Sequence, residues 1–290
     1  MVQVALARIA HGRSSKSVLM VGLRGVGKTV LLDRMREDAE AAGYRTMRIE
    51  APESRSLPAM LAPQLRLTLL NLSRVEKAKD LAVKALRGLA GFATALKMKY
   101  EDIEVGLDFE PEKGLADNGD LEHDLQALFE TVGAAAQIAE TILAIFVDEL
   151  QYVAEDELAS LITALHRTSQ RGLPVVLVGA GLPQLAGRMG RAKSYAERLF
   201  DFPSIGPLSP EAARIAVEKP ANDEGVSFEQ AALDKIIQKT QGYPYFLQEW
   251  GKHVWNAAAK SPITASDVDA ASQSAIAALD ESFFRVRFDR

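Results

Sequence analysis

The chain has 290 residues, of which 48% are hydrophobic and 25% are charged, and its formal net charge is −5. This composition is typical of a globular protein with room for two domains, and the charge excludes a basic surface over the whole molecule. The absence of cysteine excludes disulfide bonds and a thiolate nucleophile.

The sequence also argues against a membrane segment and a histidine-based metal site. No apolar run approaches the roughly 18 to 20 residues that span a bilayer, and the start lacks the apolar core of a signal peptide. We therefore expect a cytoplasmic protein. The four histidines, at positions 11, 123, 166 and 253, have no metal-ligand spacing.

The first predicted elements flank a glycine-rich loop. Residues 17–21 (SVLMV) have the character of a buried strand, and residues 29–42 carry apolar side chains at helical spacing. The sequence between them matches the phosphate-binding P-loop G-x-x-x-x-G-K-[ST]. Its four fixed positions are Gly22, Gly27, Lys28 and Thr29.

Each fixed residue of this loop has a role in holding ATP or ADP. The glycines let the backbone curl so that N–H groups point at an anion, and the following helix presents its positive end to the same place. We expect Lys28 to reach the β and γ phosphates and the Thr29 hydroxyl to ligate Mg²⁺. The predicted nucleotide site also includes Gly25, Val26 and Val30.

Four further apolar runs alternate with helical patterns, which favours an α/β fold with a parallel sheet covered by helices. These runs lie at residues 44–50, 141–148, 174–179 and 199–205. About ninety residues separate the second strand from the third, far more than an ordinary crossover needs. We therefore place an insertion at about residues 52–140.

The insertion has a basic half and an acidic half. Residues 55–99 are helical in pattern and carry nine basic side chains, namely Arg55, Arg66, Arg74, Lys77, Lys79, Lys84, Arg87, Lys97 and Lys99. Residues 101–124 are acidic, and the alternation of apolar and acidic residues over 102–110 predicts a half-exposed strand. Two interpretations stay open: solvated faces that partly neutralise one another, or a nucleic-acid or partner surface on the basic half.

A pair of carboxylates follows the third strand. In residues 144–149 (AIFVDE) an apolar run ends at Asp148 and Glu149. Ligands gather at the carboxyl ends of strands in such sheets, which is also where the P-loop begins. We expect Asp148 to hold Mg²⁺ through water and Glu149 to orient and polarise an attacking water.

From residue 208 onward the sequence predicts a small helical domain. Ser209 precedes Pro210 as a helix cap, Thr264 and Asp267 resemble a capping box, and residues 228–240 and 245–259 read as two more helices. The predicted domains are thus a nucleotide-binding core over 1–207 and a helical lid over 208–280.

These motifs together resemble an AAA+-type P-loop ATPase. The resemblance covers roughly residues 15–280, and it is greatest to bacterial and archaeal ATPases related to origin recognition complex initiators and to STAND signalling ATPases. It implies five parallel strands in the order 5-1-4-3-2, with nucleotide between core and lid. Such relatives commonly continue into a winged-helix domain, so residues 281–290 are expected to begin a further domain that is missing from a shortened chain.

The resemblance carries over unevenly to the remaining site residues. Arg198 stands where AAA+ proteins carry an arginine finger that reaches a neighbouring subunit; an in-chain salt bridge to Glu197 or the lid is the alternative. The end of the fourth strand lacks the expected polar sensor, and Gln184 is the nearest candidate. The AAA+ sensor arginine of the lid is also missing.

The lid contains a turn that resembles the one STAND proteins lay against the nucleotide. It consists of Gly242, Tyr243 and Pro244, so we include Tyr243 and Pro244 in the predicted nucleotide site. Plain helix packing is the other interpretation of the aromatic residues in this region, which are Tyr243, Tyr245, Phe246 and Trp250.

The predicted function is slow hydrolysis of ATP with Mg²⁺ by a regulatory or mechanochemical ATPase of AAA+/STAND type, controlled by a partner or by self-assembly. One alternative is a nucleotide-dependent switch with little turnover. A second is a DNA-associated initiator or loader, which the basic insertion favours. Homo-oligomers, nucleic acid and protein are the expected partners, and no membrane is expected.

Overall fold

The computed structural model describes residues 1–97 and 109–281, which form two compact units. The first unit consists of Met1–Gly22 and Lys28–Ser204. The second consists of Leu23–Gly27 and Ile205–Arg290. By its contacts, the tip of the P-loop thus belongs to the second unit.

A five-stranded sheet organises the first unit. Its strands are β1 (Ser17–Val21), β2 (Arg45–Glu50), β3 (Leu143–Asp148), β4 (Val175–Gly181) and β5 (Phe200–Asp201). All the pairings are parallel, and the order β2-β3-β4-β1-β5 is the predicted 5-1-4-3-2 read from the other edge. Every residue of β3 and β4 is buried, as expected for central strands with both faces covered.

The edge strand β5 is shorter than predicted. The sequence predicted a strand over residues 199–205, but only Phe200–Asp201 pairs continuously with β1. Leu199 still belongs to a helix, and Pro203 interrupts the ladder because proline has no N–H to donate. Beyond it, Ser204 forms only an isolated bridge with Val21.

Helices cover the sheet and form the insertion. In the first unit they are α1 (Val2–Ala10), α2 (Lys28–Ala41), α3 (Leu57–Leu72), α4 (Lys79–Leu96), α5 (Leu121–Ile138), α6 (Glu155–Gln170), α7 (Leu185–Ala192) and α8 (Ala196–Leu199). Helix α1 was not predicted, although Val2, Ala5 and Leu6 bury one face of it at helical spacing. Among the described residues, none of the helices combines the length and hydropathy that a membrane-spanning helix requires.

The insertion is part of the main hydrophobic core. Helices α3, α4 and α5 bury their apolar residues in the same cluster as the sheet, with Phe92 and Phe129 among the fully buried side chains. Several of its basic residues, such as Lys77, are exposed, and Lys77 pairs with Glu140 at 2.7 Å. Removing the basic helices would therefore expose core residues.

The acidic half of the insertion differs from the prediction where the structure describes it. Residues 109–120 form turns and irregular backbone, and α5 begins at Leu121 after an N-cap by Asp120. The strand predicted over 102–110 is thus wrong for its last two residues, Phe109 and Glu110. Its remainder, together with Lys99, lies outside the described residues, as do residues 282–290.

The second unit is helical. Its helices are α9 (Pro210–Asp223), α10 (Gln230–Thr240), α11 (Pro244–Ala257) and α12 (Ala265–Leu279). The predicted caps are confirmed: the Ser209 side chain accepts a hydrogen bond from the Ala212 N–H, and Thr264 and Asp267 form a reciprocal capping box. A separate apolar core holds the four helices together, and it includes Trp250.

Candidate nucleotide-binding and hydrolysis site

The loop between β1 and α2 has the backbone conformation that its glycines predict. Gly25 and Gly27 have φ angles of 81° and 89°, a left-handed conformation that most other residues avoid. Open space surrounds the position that a Gly27 Cβ would occupy, so the backbone conformation requires this glycine and packing does not. At the base of the loop, the Gly22 N–H donates to the Gly181 carbonyl at 3.2 Å, which ties the end of β1 to the end of β4.

Lys28 and Thr29 begin α2 directly after this loop. The Lys28 side chain is only 6% exposed, and its Nζ donates to the Gly22 carbonyl at 3.0 Å. A buried ammonium group needs hydrogen-bond acceptors, and phosphate oxygens are stronger acceptors than a carbonyl. Thr29 and Val30 are exposed on the first turn of α2.

The two predicted acidic residues lie at the end of β3 in different environments. Asp148 is the last residue of the strand and is 2% exposed, and its Oδ1 accepts a hydrogen bond from the Glu149 N–H at 2.8 Å. Glu149 is partly exposed and has a left-handed backbone, with φ 54° and ψ 34°. This conformation costs a residue other than glycine about 1 to 2 kcal/mol.

The left-handed conformation of Glu149 is unusual for its place in the fold. Of the described residues other than glycine, Glu140 and Gln241 also have positive φ, but both directly follow the end of a helix, where such a conformation commonly closes the last turn. Glu149 instead follows a buried strand. Backbone strain of this kind concentrates at functional sites.

Arg48 on β2 lies next to Asp148 of the acidic pair, and no role was predicted for it. Its Nη2 lies 3.5 Å from Asp148 Oδ2, while its Nε donates to Asp33 on α2 at 2.8 Å. The guanidinium therefore supplies positive charge next to a buried carboxylate. Nothing in the strand pattern of residues 45–50 distinguishes this arginine, because its role depends on the pairing of β2 with β3.

Gln151 is a second residue near the acidic pair for which the sequence indicated no role. It lies in a 3₁₀ turn, Leu150–Tyr152, is 6% exposed and donates a hydrogen bond from Nε2 to Glu149 Oε2. Its Oε1 accepts from the Leu182 N–H at 3.0 Å. Gln184, the sensor candidate, is exposed at the start of α7 and makes no side-chain capping hydrogen bond.

In the second unit, the predicted lid turn contacts the tip of the P-loop. The Tyr243 hydroxyl donates to the Arg24 carbonyl, and the Tyr245 N–H donates to the Gly25 carbonyl at 3.1 Å. Pro244 begins α11. The aromatic rings also pack on one another, with the Tyr243 and Phe246 centroids 4.6 Å apart. Loop contact and helix packing therefore coexist in this turn.

The family of the chain follows from a sequence comparison. A family model described as the AAA ATPase domain matches residues 1–178, which is more than half of the chain. The chain belongs to this family. The predicted resemblance to AAA+-type ATPases is thereby confirmed, although a search of curated proteins found no match.

Solved structures with the same fold include several AAA+ proteins. The Thermotoga maritima RuvB Holliday junction branch migration motor is 15% identical with a TM-score of 0.53, over 94% of this chain and 66% of RuvB. The Walker-type ATPase PABY2304 of Pyrococcus abyssi is 13% identical with a TM-score of 0.56, over 99% of this chain and 74% of that protein. At these identities the likeness shows the fold alone, and the chain spans about two thirds of the length of RuvB.

Arg198 in this AAA ATPase domain lies apart from the P-loop residues. It belongs to α8, just before the amino end of β5, whereas the P-loop follows the carboxyl end of β1. Its exposed side chain borders a cavity of about 380 Å³ that Arg8, Arg13 and Lys16 also line. Lys16 pairs with Asp201 at 3.5 Å, but no ion pair between Arg198 and Glu197 occurs in the described part of the chain.

Proposed function

We propose that this AAA ATPase domain binds ATP with Mg²⁺ and hydrolyses it as a regulatory, AAA+/STAND-type ATPase. The observation that carries the proposal is Glu149, a carboxylate held on a strained backbone at the carboxyl end of a central strand. In the reaction, water attacks the γ-phosphorus, the bond to the β-phosphate oxygen breaks, and ADP, phosphate and a proton leave.

Residues of the first unit have separate roles in this reaction. Lys28 supplies a buried positive charge for the β and γ phosphates, and Glu149 accepts a hydrogen bond from the attacking water and polarises it. The Thr29 hydroxyl and the Asp148 carboxylate offer oxygen ligands, the type that Mg²⁺ prefers. When bound, the ion would neutralise charge on the phosphates.

The residues of the second unit contribute to nucleotide binding under the same proposal. Gly25, Val26 and Gly27 present backbone N–H groups to the phosphates, as the left-handed glycines of the loop allow. The hydrogen bonds from Tyr243 and Tyr245 hold the Arg24 and Gly25 carbonyls of this loop. Tyr243 and Pro244 would therefore respond to nucleotide through the loop.

Control of the reaction by assembly is supported by Arg198. An exposed guanidinium without an ion pair in the described residues is available to a neighbouring molecule. We propose that it reaches the γ-phosphate bound by a second copy of the chain, where it would stabilise charge that develops in the transition state. A switch with little turnover is the alternative if no such assembly forms.

Steady-state measurements test this proposal directly. ATPase activity per subunit, recorded with and without Mg²⁺ across a hundredfold range of protein concentration, should require Mg²⁺ and rise with concentration. Binding of ATP without turnover at any concentration would leave the switch as the better description. Absence of ATP binding would refute both.

A DNA-associated role is the second candidate, and exposed basic residues in the insertion favour it. Arg74, Lys79 and Lys84 are exposed, and none of them forms an ion pair within the described residues. The solved structures with this fold also include RuvB, described as a Holliday junction branch migration motor.

Salt dependence separates this role from a solvated surface. If the three residues neutralise DNA phosphates, the logarithm of the affinity should fall linearly with the logarithm of salt concentration, with a slope of about −0.9 per phosphate. The double substitution Lys79→Glu and Lys84→Glu should weaken DNA binding and make this slope less steep. Lys252→Glu, at an exposed position of α11, should change neither. Absence of salt-dependent binding by the unaltered chain would exclude the DNA role for this surface.

A further inference from the structure

We propose that Gln151 is a positioning residue that fixes the Glu149 carboxylate for hydrolysis, an inference that rests on the proposed function. The end of β4 has glycines where a polar side chain was expected, at Gly179 and Gly181. The structure shows a polar side chain entering this region from another element. Gln151 reaches it from the turn after β3.

The hydrogen bonds of Gln151 define which way its amide points. The Glu149 carboxylate can only accept, and the Leu182 N–H can only donate. The amide nitrogen must therefore face Glu149 and the amide oxygen must face Leu182, as in the structure. Only a side chain that is donor and acceptor at once satisfies both partners. Because Gln151 is almost fully buried, the loss of either partner would leave one of its amide atoms without a hydrogen bond, which is costly.

The glycines of β4 provide the space for this arrangement. A Cβ on Gly181 would lie 2.9 Å from the Gln151 amide oxygen, and a Cβ on Gly179 would lie 2.4 Å from the side chain of Leu150. Both distances are too short for ordinary contacts. A larger residue at the end of β4 would therefore push the 3₁₀ turn away, which explains why this strand end carries no polar side chain of its own.

The turn that carries Gln151 is also held from α7. Arg188 donates from Nη1 to the Gln151 carbonyl and from Nη2 to the Val153 carbonyl, the latter at 2.7 Å. The Gln151 backbone is thus fixed on one side by the guanidinium, while its side chain is fixed by the end of β4. Glu149 is the remaining member of this chain of hydrogen bonds, and it is only partly buried.

Gln151 would act on the orientation of the base and not on its charge. Its amide holds Oε2 of Glu149, which leaves Oε1 for the attacking water. A carboxylate on a partly exposed side chain can adopt several rotamers, and one fixed hydrogen bond selects among them. A reaction slows when the catalytic group is held less precisely, even where substrate binding is unaffected.

Two substitutions distinguish positioning from a structural role. Gln151→Glu keeps an oxygen for the Leu182 N–H but replaces the donor to Glu149 with a second acceptor. Gln151→Met preserves the length of the side chain and removes both hydrogen bonds. If Gln151 positions the base, both variants should lower kcat at least 10-fold, while the Kd for ATP stays within about twofold. Gln238→Glu, on the exposed face of α10, is the matched control and should behave as the unaltered chain.

The outcomes separate this inference from the proposed function. Normal kcat in Gln151→Glu, with a loss only in Gln151→Met, would show that the bond to Leu182 matters and would overturn the positioning role. A parallel loss of kcat, ATP affinity and melting temperature would overturn it as well, because general loosening of the fold would explain it. ATP binding without turnover by the unaltered chain would instead overturn the proposed hydrolysis, and the positioning role with it.

Discussion

Replacing Glu149 by Gln should leave ATP bound and uncut. The variant keeps the length of the side chain and the left-handed backbone, so the conformational cost of about 1 to 2 kcal/mol is the same in both proteins. The new amide oxygen can still accept the hydrogen bond from Gln151. Only the negative charge that polarises water is lost. We therefore expect the melting temperature and the Kd for ATP to stay close to those of the unaltered chain.

The expected loss of rate follows from the role of the carboxylate. General-base catalysis contributes about 10² to 10⁴ in rate, which corresponds to about 2.7 to 5.4 kcal/mol of activation free energy. Single-turnover hydrolysis of radiolabelled ATP measures this difference directly. After gel filtration the variant should retain ATP, whereas the unaltered chain should carry ADP.

Glu140→Gln is the matched control for this experiment. Glu140 undergoes the same chemical change at the same backbone conformation, with φ 54°, but it lies at the end of α5 and pairs with Lys77. It should hydrolyse ATP at the unaltered rate. Rapid hydrolysis by Glu149→Gln, equal to that of the control, would refute the role of Glu149 and would redirect the search for the base to Asp148.

Three further predictions concern charged residues. Lys28→Ala should weaken ATP binding about 10- to 100-fold in a calorimetric titration, because a charge-assisted contact to phosphate is lost; unchanged affinity would remove the P-loop from the mechanism. Arg198→Ala should lower the ATPase rate by about 10³-fold or more with little change in ATP affinity. If the ATPase activity per subunit of the unaltered chain does not rise with protein concentration, Arg198 has no role in a neighbour's site. Burial alone would raise the pKa of Glu130, but hydrogen bonds from Arg167 and Arg171 outweigh it and lower that pKa below 4.5. The Glu130 carboxylate therefore stabilises the folded state above about pH 4.5, and this stabilisation is lost as the pH falls through the lower folded-state pKa. In Glu130→Gln, the free energy of unfolding measured with denaturant should depend less on pH over this acidic range. An unchanged pH profile would contradict the role of Glu130.

The helical insertion illustrates what the pattern of a sequence leaves undecided. The pattern of residues 55–99 predicted helices, and the structure has α3 and α4 there. Their many basic residues suggested an exposed surface for nucleic acid or a partner. Their apolar faces pack into the core of the sheet. Whether an insertion projects from a domain or completes its core depends on which helices meet, and periodicity alone does not specify this.

The sequence by itself determined the parts of the site that depend on local chemistry. The P-loop glycines, Lys28 and Thr29 lie within eight consecutive residues, and Asp148 and Glu149 are neighbours at the end of an apolar run, so a short window contains each group. The parallel order of the strands followed from the family resemblance and from the alternation of strands with helices. These features need no knowledge of which distant residues touch.

Only the tertiary structure decided what surrounds those residues. Gln151 meets Leu182 across 31 positions of sequence, and Arg48 meets Asp148 across 100. Both contacts exist because β3 is paired with β4 on one side and with β2 on the other. A buried side chain is satisfied by whichever partners the packing brings within hydrogen-bond distance, and that distance is set by the whole sheet and its helices, not by the residues next to it in the chain.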